Sequence, residues 1–285
     1  SGPGLVDEWI TFNEPISICS LGYGIGIFAP GSPGGKEGEH RCGHALLLAH
    51  AAAAKVYNEK GYRARSKGKG RLSIALDGKW GRPWSPADGA DAKAADAFTL
   101  FQFGWMADPL YFGDYPAEMR RAHGASLPRF TERQRADLRA AKPDALSLNF
   151  YTSYWVKAPD VVKQGKSLPP GSLPYNVTYG NGPGNAKIGP VAASSWLFVT
   201  PDAFGATLTW LSRRYGSPEI WVTENGVSVK GEHDGRPPSA LRDAFRVDYF
   251  KTYLASLCRA VAGGARVTKY YAWSLMDNYE WLQTY

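Results

Sequence analysis

Ile220-Trp221-Val222-Thr223-Glu224-Asn225-Gly226 is a short, unbroken apolar run, rich in β-forming residues, that stops on a carboxylate, an amide and a glycine. Strict alternation would mark a strand with one wet face, whereas a continuous run of this length suits a parallel strand covered on both faces. Four other stretches have the same character, so the candidate strands are 9–13, 72–76, 145–151, 220–223 and 270–274. Between them lie helix-period segments with readable ends. Residues 43–60 are rich in Ala and Leu and stop before Gly61. Thr131 and Gln134 form a capping box for a short helix that ends before Pro143. Thr200 is placed as the N-cap of a helix with Pro201 at its first position and Gly216 at its end. Residues 243–262 carry Phe245, Tyr249, Tyr253 and Leu257 at four-residue spacing, which makes one buried face. Strand, loop and helix repeat with strand starts roughly 50–75 residues apart, the pattern of successive βα units in an α/β fold. No composition shift marks a second domain, so residues 1–285 read as one. Two long loops, 29–41 and 158–199, are of the kind that wall a substrate cleft.

Composition narrows the function. Hydrophobic residues at 44% and charged residues at 21% exclude disorder. No apolar run approaches the ~18–20 residues that span a bilayer, and the longest candidate, 45–54, contains His50, so no membrane partner is expected. The net charge of +7 is scattered. Its densest run, 63–71, alternates Lys and Arg with Gly and Ser and has no interleaved stacking aromatics. It reads as a solvated loop, and no nucleic-acid partner is expected. Cys19, Cys42 and Cys258 allow one bridge with one thiol left over and show no zinc spacing. His40, His44, His123 and His233 show no metal-ligand spacing, and no glycine loop cradles a phosphate, so neither metal nor cofactor is expected. His50, on an apolar helix, reads as structural, and Asp108 and Asp114 as organisers of a loop that follows a helix. Residues 1–4 do not resemble a secretory signal, and the chain is expected to begin mid-protein.

The chemistry sits at strand ends. Four runs finish in polar residues that an apolar strand does not need: Asn13-Glu14-Pro15, Asn149-Phe150-Tyr151-Thr152, Glu224-Asn225-Gly226, and Trp273 through Glu280 and Trp281. In a (β/α) barrel the C-terminal strand ends converge on one face. Glu14 and Glu224 would therefore meet there despite their distance in sequence. Two facing carboxylates among aromatics and amides are what glycoside hydrolysis requires, one protonated to donate to the leaving oxygen and one ionised to attack the anomeric carbon.

Thr11-Phe12-Asn13-Glu14-Pro15, Thr223-Glu224-Asn225-Gly226 and the stretch from Trp273-Ser274-Leu275-Met276-Asp277 to Asn278-Tyr279-Glu280-Trp281, in this order, resemble glycoside hydrolase family 1, the β-glucosidase family with a TIM-barrel fold. Supporting matches are Leu47-Leu48-Ala49-His50-Ala51, Gly104-Trp105-Met106-Ala107-Asp108-Pro109 and Tyr111-Phe112-Gly113-Asp114-Tyr115-Pro116. The resemblance implies that Glu14 is the general acid/base and Glu224 the nucleophile of a retaining double displacement. It places Asn13 on the sugar 2-hydroxyl, Tyr151 on the nucleophile with Asn149 in the same cluster, and Trp273 under the glycone. Glu280 and Trp281 fall on its far hydroxyls. A carboxylate at 280 implies an unphosphorylated glycone, and glutamate rather than glutamine at 14 argues against the plant thioglucosidases.

The same resemblance puts the Asn-Glu-Pro motif at strand four. The expected fold is then an incomplete (β/α)8 barrel, strands four to eight with their helices, that lacks about three βα units and the extreme C-terminus. Such a sheet has two open edges. The expected partners are a small-molecule β-glycoside or oligosaccharide and the missing barrel segment, supplied as another chain or as further sequence of the same protein. A species larger than 31.1 kDa is expected in solution. The expected activity is that of a retaining β-glucosidase with side activity on β-galactosides or β-fucosides. The alternatives are a non-catalytic carbohydrate-binding or structural remnant, and a transglycosidase.

Overall fold

The computed structural model describes residues 6–169, 171–231, 242–276 and 278–282. A six-stranded sheet curls around one interior. It runs β1 (Glu8–Asn13), β2 (Arg71–Pro83), β3 (Leu146–Lys157), β5 (Glu219–Glu224), β6 (Arg266–Tyr270), all neighbours parallel, while β4 (Asn176–Thr178) pairs antiparallel with β3. Five longer helices cover the outside: α1 (Gly35–Glu59), α2 (Gly89–Phe112), α3 (Glu132–Ala140), α4 (Pro201–Arg214) and α5 (Ala244–Ala262). The result is an incomplete (β/α) barrel. Among the described residues β1 and β6 each pair on one side only, and Glu8 on the first forms an ion pair with Lys269 on the second.

Alternation along the strands divides two environments. Ile74, Leu76, Leu146, Leu148, Ile220 and Val222 point outward into a core closed by helix residues such as Met106, Phe204, Leu208 and Tyr253. The intervening positions face the barrel interior, where the Ser73 and Ser147 hydroxyls meet at 2.6 Å. The helix ends follow local chemistry. Thr131 and Gln134 make both bonds of the capping box, Asp88 and Asp243 cap α2 and α5, and α2 ends where Gly113 adopts φ of 88°. Among the described residues no helix is long and apolar enough to cross a membrane.

Several expectations are corrected. The last strand is Arg266–Tyr270, and residues 271–274 lie beyond it, although the Tyr271 N–H still donates to the Val222 carbonyl at 2.9 Å. α1 begins at Gly35 and so absorbs half of the loop expected over 29–41. Thr200 occupies the N-cap position without a side-chain cap bond, its backbone N–H going instead to the Tyr253 hydroxyl. Asp108 lies within α2, ion-paired to Arg214, whereas Asp114 beyond the helix does hold a loop, through Arg120 and Arg135. The basic run is not wholly solvated. Arg63 pairs with Asp144 and Arg71 with Glu219. Trp9 and Ile10 were expected to be covered on both faces but are 40% and 43% exposed, because β1 is the sheet edge. As the three cysteines allow, one bridge forms, Cys19 to Cys42, tying the segment after β1 to α1, and Cys258 is left free. His233 and Asp277 lie outside the described residues.

Candidate active site

Glu14 stands at the elbow between β1 and a helical segment that opens as α-helix over Pro15–Ser17 and continues as π-helix over Ile18–Gly24, with a left-handed φ of 49°. Pro15 keeps the residue before it out of the right-handed helical region, and a side chain held left-handed costs about 1–2 kcal/mol. The Glu14 N–H donates to the Ala75 carbonyl at 3.0 Å, which fixes the elbow to β2.

Sheet register then assembles the neighbours. Asp77 of β2 lies opposite Asn149 of β3, and Asn149 opposite Glu224 of β5. Asn149, 1% exposed, is the hub. Its Nδ2 donates to Asn13 Oδ1 and to Glu14 Oε1, each at 2.9 Å, and its Oδ1 accepts from the Thr223 hydroxyl at 2.6 Å. The Tyr151 hydroxyl donates to Glu224 Oε2 at 2.6 Å. Tyr151 is placed in turn by the Tyr253 hydroxyl on its carbonyl and by the edge-on Trp196 ring. A cleft of about 630 Å³ runs up the interior from Glu8 to Asn13, Glu224 and Trp273, within the ~300–1,000 Å³ range of small-molecule sites.

The two carboxyls have different surroundings. Burial pushes Glu14 up to about 8, helped by the negative charges of Asp77 and Glu224 and opposed by the Asn149 amide and Lys79. Burial also raises Glu224, but the Tyr151 hydroxyl and the Asn149 and Asn13 amides hold it back by bonding the ionised form. Burial and the Glu224 charge keep the Tyr151 proton on its oxygen, so that it donates.

The remaining expected residues follow β5 and β6. The Trp273 N–H donates to the Asn225 carbonyl at 3.0 Å, and its indole N–H reaches Glu280 Oε2 at 3.3 Å. The Trp273–Ser274 peptide is cis. Trp281 stacks on Phe28 with ring centroids 4.7 Å apart, so the end of the chain meets the loop that follows Glu14. Gly226 leaves no room for a side chain: a Cβ there would stand 1.9 Å from the Trp273 carbonyl oxygen. His50, fully buried, meets the Thr11 hydroxyl at 2.8 Å and the Ala141 carbonyl at 3.0 Å, the placement of a structural histidine behind β1.

The strand ends thus gather Glu14, Glu224, Asn13, Asn149 and Tyr151, while Trp273, Glu280 and Trp281 form a second, more exposed group beside them. Sequence reasoning missed two residues here. Asn225, fully buried, donates to the Phe150 carbonyl and the Tyr249 hydroxyl and accepts from Tyr270, locking the turn after Glu224. Asp77 follows directly on the apolar run 72–76, and that position was the available signal. Among the described residues no group of three His, Cys, Asp or Glu side chains is gathered closely enough to hold a metal ion.

Comparison with known proteins covers nearly the whole chain. The sequence model described as glycosyl hydrolase family 1 matches residues 3–285. Beta-glucosidase 4 of Oryza sativa subsp. japonica is 40% identical over 284 residues, 98% of this chain and 56% of that protein. The crystal structure of the β-glucosidase from Trichoderma harzianum superposes with a TM-score of 0.89 at 38% identity, covering 99% of this chain and 58% of that one. The family 1 β-glucosidase from the fungus Humicola insolens, in complex with glucose, gives a TM-score of 0.89 at 38% identity over 99% and 59%. The chain spans a little over half the length of these relatives.

Proposed function

Because the chain belongs to glycosyl hydrolase family 1, we propose that the protein carrying it is a retaining β-glycosidase, a β-glucosidase first, acting on terminal unphosphorylated β-D-glycosides. In the first step the Glu224 carboxylate attacks the anomeric carbon while Glu14 gives its proton to the departing glycosidic oxygen, leaving a glycosyl ester on Glu224. In the second, Glu14, now a carboxylate, takes a proton from water as the water oxygen displaces Glu224, and the sugar leaves with its configuration retained. The observation that carries this reading is the asymmetry of the pair. Both carboxyls meet the Asn149 amide, yet only Glu224 takes the Tyr151 phenol hydrogen bond, and Glu14 lies in the surroundings that favour its proton.

Asn13 serves the 2-hydroxyl, Trp273 the face of the glycone, and Glu280 and Trp281 its far hydroxyls. The Glu280 carboxylate would repel a sugar phosphate. Glucose in the Humicola insolens enzyme is in keeping with this assignment. The test uses the intact protein on an aryl β-glucoside. Glu224→Ala should abolish turnover, and azide should partly restore it with inverted stereochemistry at the anomeric carbon. Undiminished turnover in that variant would remove the assignment.

The side left open between β1 and β6 favours a second reading for the isolated chain, binding without turnover, with the missing barrel segment needed to finish the glycone pocket. Calorimetry with glucose or an iminosugar on the isolated chain, run beside a turnover assay, separates the two. Size-exclusion chromatography of the intact protein should give a species larger than the 31.1 kDa of this chain.

A further inference from the structure

We propose that Asp77 and Lys79 form a charge couple that serves the acid/base side chain: Asp77 positions the Glu14 segment and holds the proton on Glu14, and Lys79 limits that hold. The inference rests on the acid/base reading of Glu14 given above.

Asp77 is 4% exposed, and its Oδ1 has no hydrogen-bond partner among the described residues. A buried acceptor left unmade costs about 1–3 kcal/mol, more when charged, so a carboxylate kept for packing alone would be poorly chosen here. Its other oxygen is used in a particular way. Oδ2 accepts from the Ser17 hydroxyl at 2.7 Å and stands 3.9 Å from Lys79 Nζ. Ser17 lies in the first turn of the helical segment that begins right after Glu14 and runs on to Gly24, so Asp77 is bonded to the very segment that carries the proposed acid. Register brings Asp77 opposite Asn149, whose amide holds Glu14 Oε1.

The groups facing Glu14 are therefore Asp77 and Lys79 from β2, Asn149 and Tyr151 from β3, Glu224 from β5 and its own neighbour Asn13. Among them Asp77 is the largest like-charge influence, ahead of Glu224, and Lys79 is the opposing cation. A general acid that must keep its proton near neutrality gains from such a neighbour. Lys79, 29% exposed at its side chain, keeps the neighbour from going uncompensated.

The sign of the effect is fixed by the chemistry. An acid works while protonated, so the rate falls as pH rises through its pKa, and neutralising Asp77 must move that fall to lower pH. In the intact protein, kcat/KM is measured against pH with a β-glucoside of poor leaving group, which needs the proton. Asp77→Asn should move the basic limb down by about one unit, roughly a tenfold loss above the limb. Lys79→Met should move it up. Removal of opposite charges moves the limb in opposite directions, a signature that a purely structural role would not give. A limb that stays put or rises in Asp77→Asn overturns the proposal. Should that variant fail to fold, Lys79→Met alone decides, an upward shift supporting the couple and any other result refuting it. Glu14→Gln separates this from the underlying reading. If it keeps the wild-type basic limb, Glu14 is not the acid and both fall. If it loses the limb while Asp77→Asn leaves it unmoved, only the couple falls.

Discussion

Glu219 and Glu224 are the same residue type at the two ends of one six-residue strand, and the fold treats them in opposite ways. At the N-terminal end, Arg71 grips Glu219 with two bonds of 2.9 Å, the Trp221 indole and the Thr268 hydroxyl add two more, and the guanidinium holds the carboxyl down at about 2. At the C-terminal end, burial raises Glu224, which has no cation partner among the described residues, and the Tyr151 phenol, with the Asn149 and Asn13 amides, restrains it. One end is a satisfied anion that ties β2, β5 and β6 together. The other is a carboxylate kept reactive by what it is denied. Barrels separate these tasks by placing chemistry at strand C-termini and stability at N-termini.

The identical substitution at both ends is the sharpest way to break that comparison. Glu224→Gln should cost about 10⁴-fold or more in turnover and leave thermal unfolding unchanged or slightly raised, since it removes a buried charge. A large fall in melting temperature there would mean that this end also carries stability. Next in size is Tyr151→Phe, expected to slow turnover about 10–100-fold, the kinetic equivalent of the ~1.5–3 kcal/mol in a hydrogen bond to a charged group. The Tyr151 bond lowers the Glu224 pKa and the proposed nucleophile works ionised, so its removal should move the acidic limb of the rate profile to higher pH. An unmoved limb would show that Tyr151 packs rather than tunes. Smallest in activity is Glu219→Gln, with turnover within about twofold and a stability loss of about 1–2 kcal/mol, a charge-assisted pair discounted for its contact with solvent. Because the folded pKa is depressed, this stabilisation is present above about pH 4.5 and fades as pH falls toward about 2. Urea unfolding of the two proteins should therefore converge in acid.

The sequence carried the reactive end more legibly than the stabilising one. Glu14 and Glu224 were visible because a carboxylate is out of place where an apolar strand stops. Asn149 and Tyr151 were visible for a similar reason, two positions apart and so on one face of a strand. Asp77 satisfied the same rule but stood outside any recognised motif. Arg71 and Glu219 could not be read at all, since 148 positions separate them and the arginine closes a run that looks like an ordinary solvated loop. The length and start of α2 were hidden for another reason. It is apolar nearly all round, buried from Ala94 to Leu110 with few breaks, so no amphipathic stripe announces it. The last strand slipped by four residues because its sheet-forming stretch, Arg266–Tyr270, is charged at an edge, while the aromatic residues that follow look more like a strand and are not one.

The missing side chain at Gly226 couples two walls of the proposed sugar site as a machinist's press fit would. With no clearance between the turn after Glu224 and the backbone beneath Trp273, even a methyl group at 226 would tilt the aromatic platform without touching a ligand. Under the proposed function, glycone preference is then expected to respond to a residue outside the lining of the cleft. Grafting either loop alone from another barrel would fail unless its counterpart travelled with it.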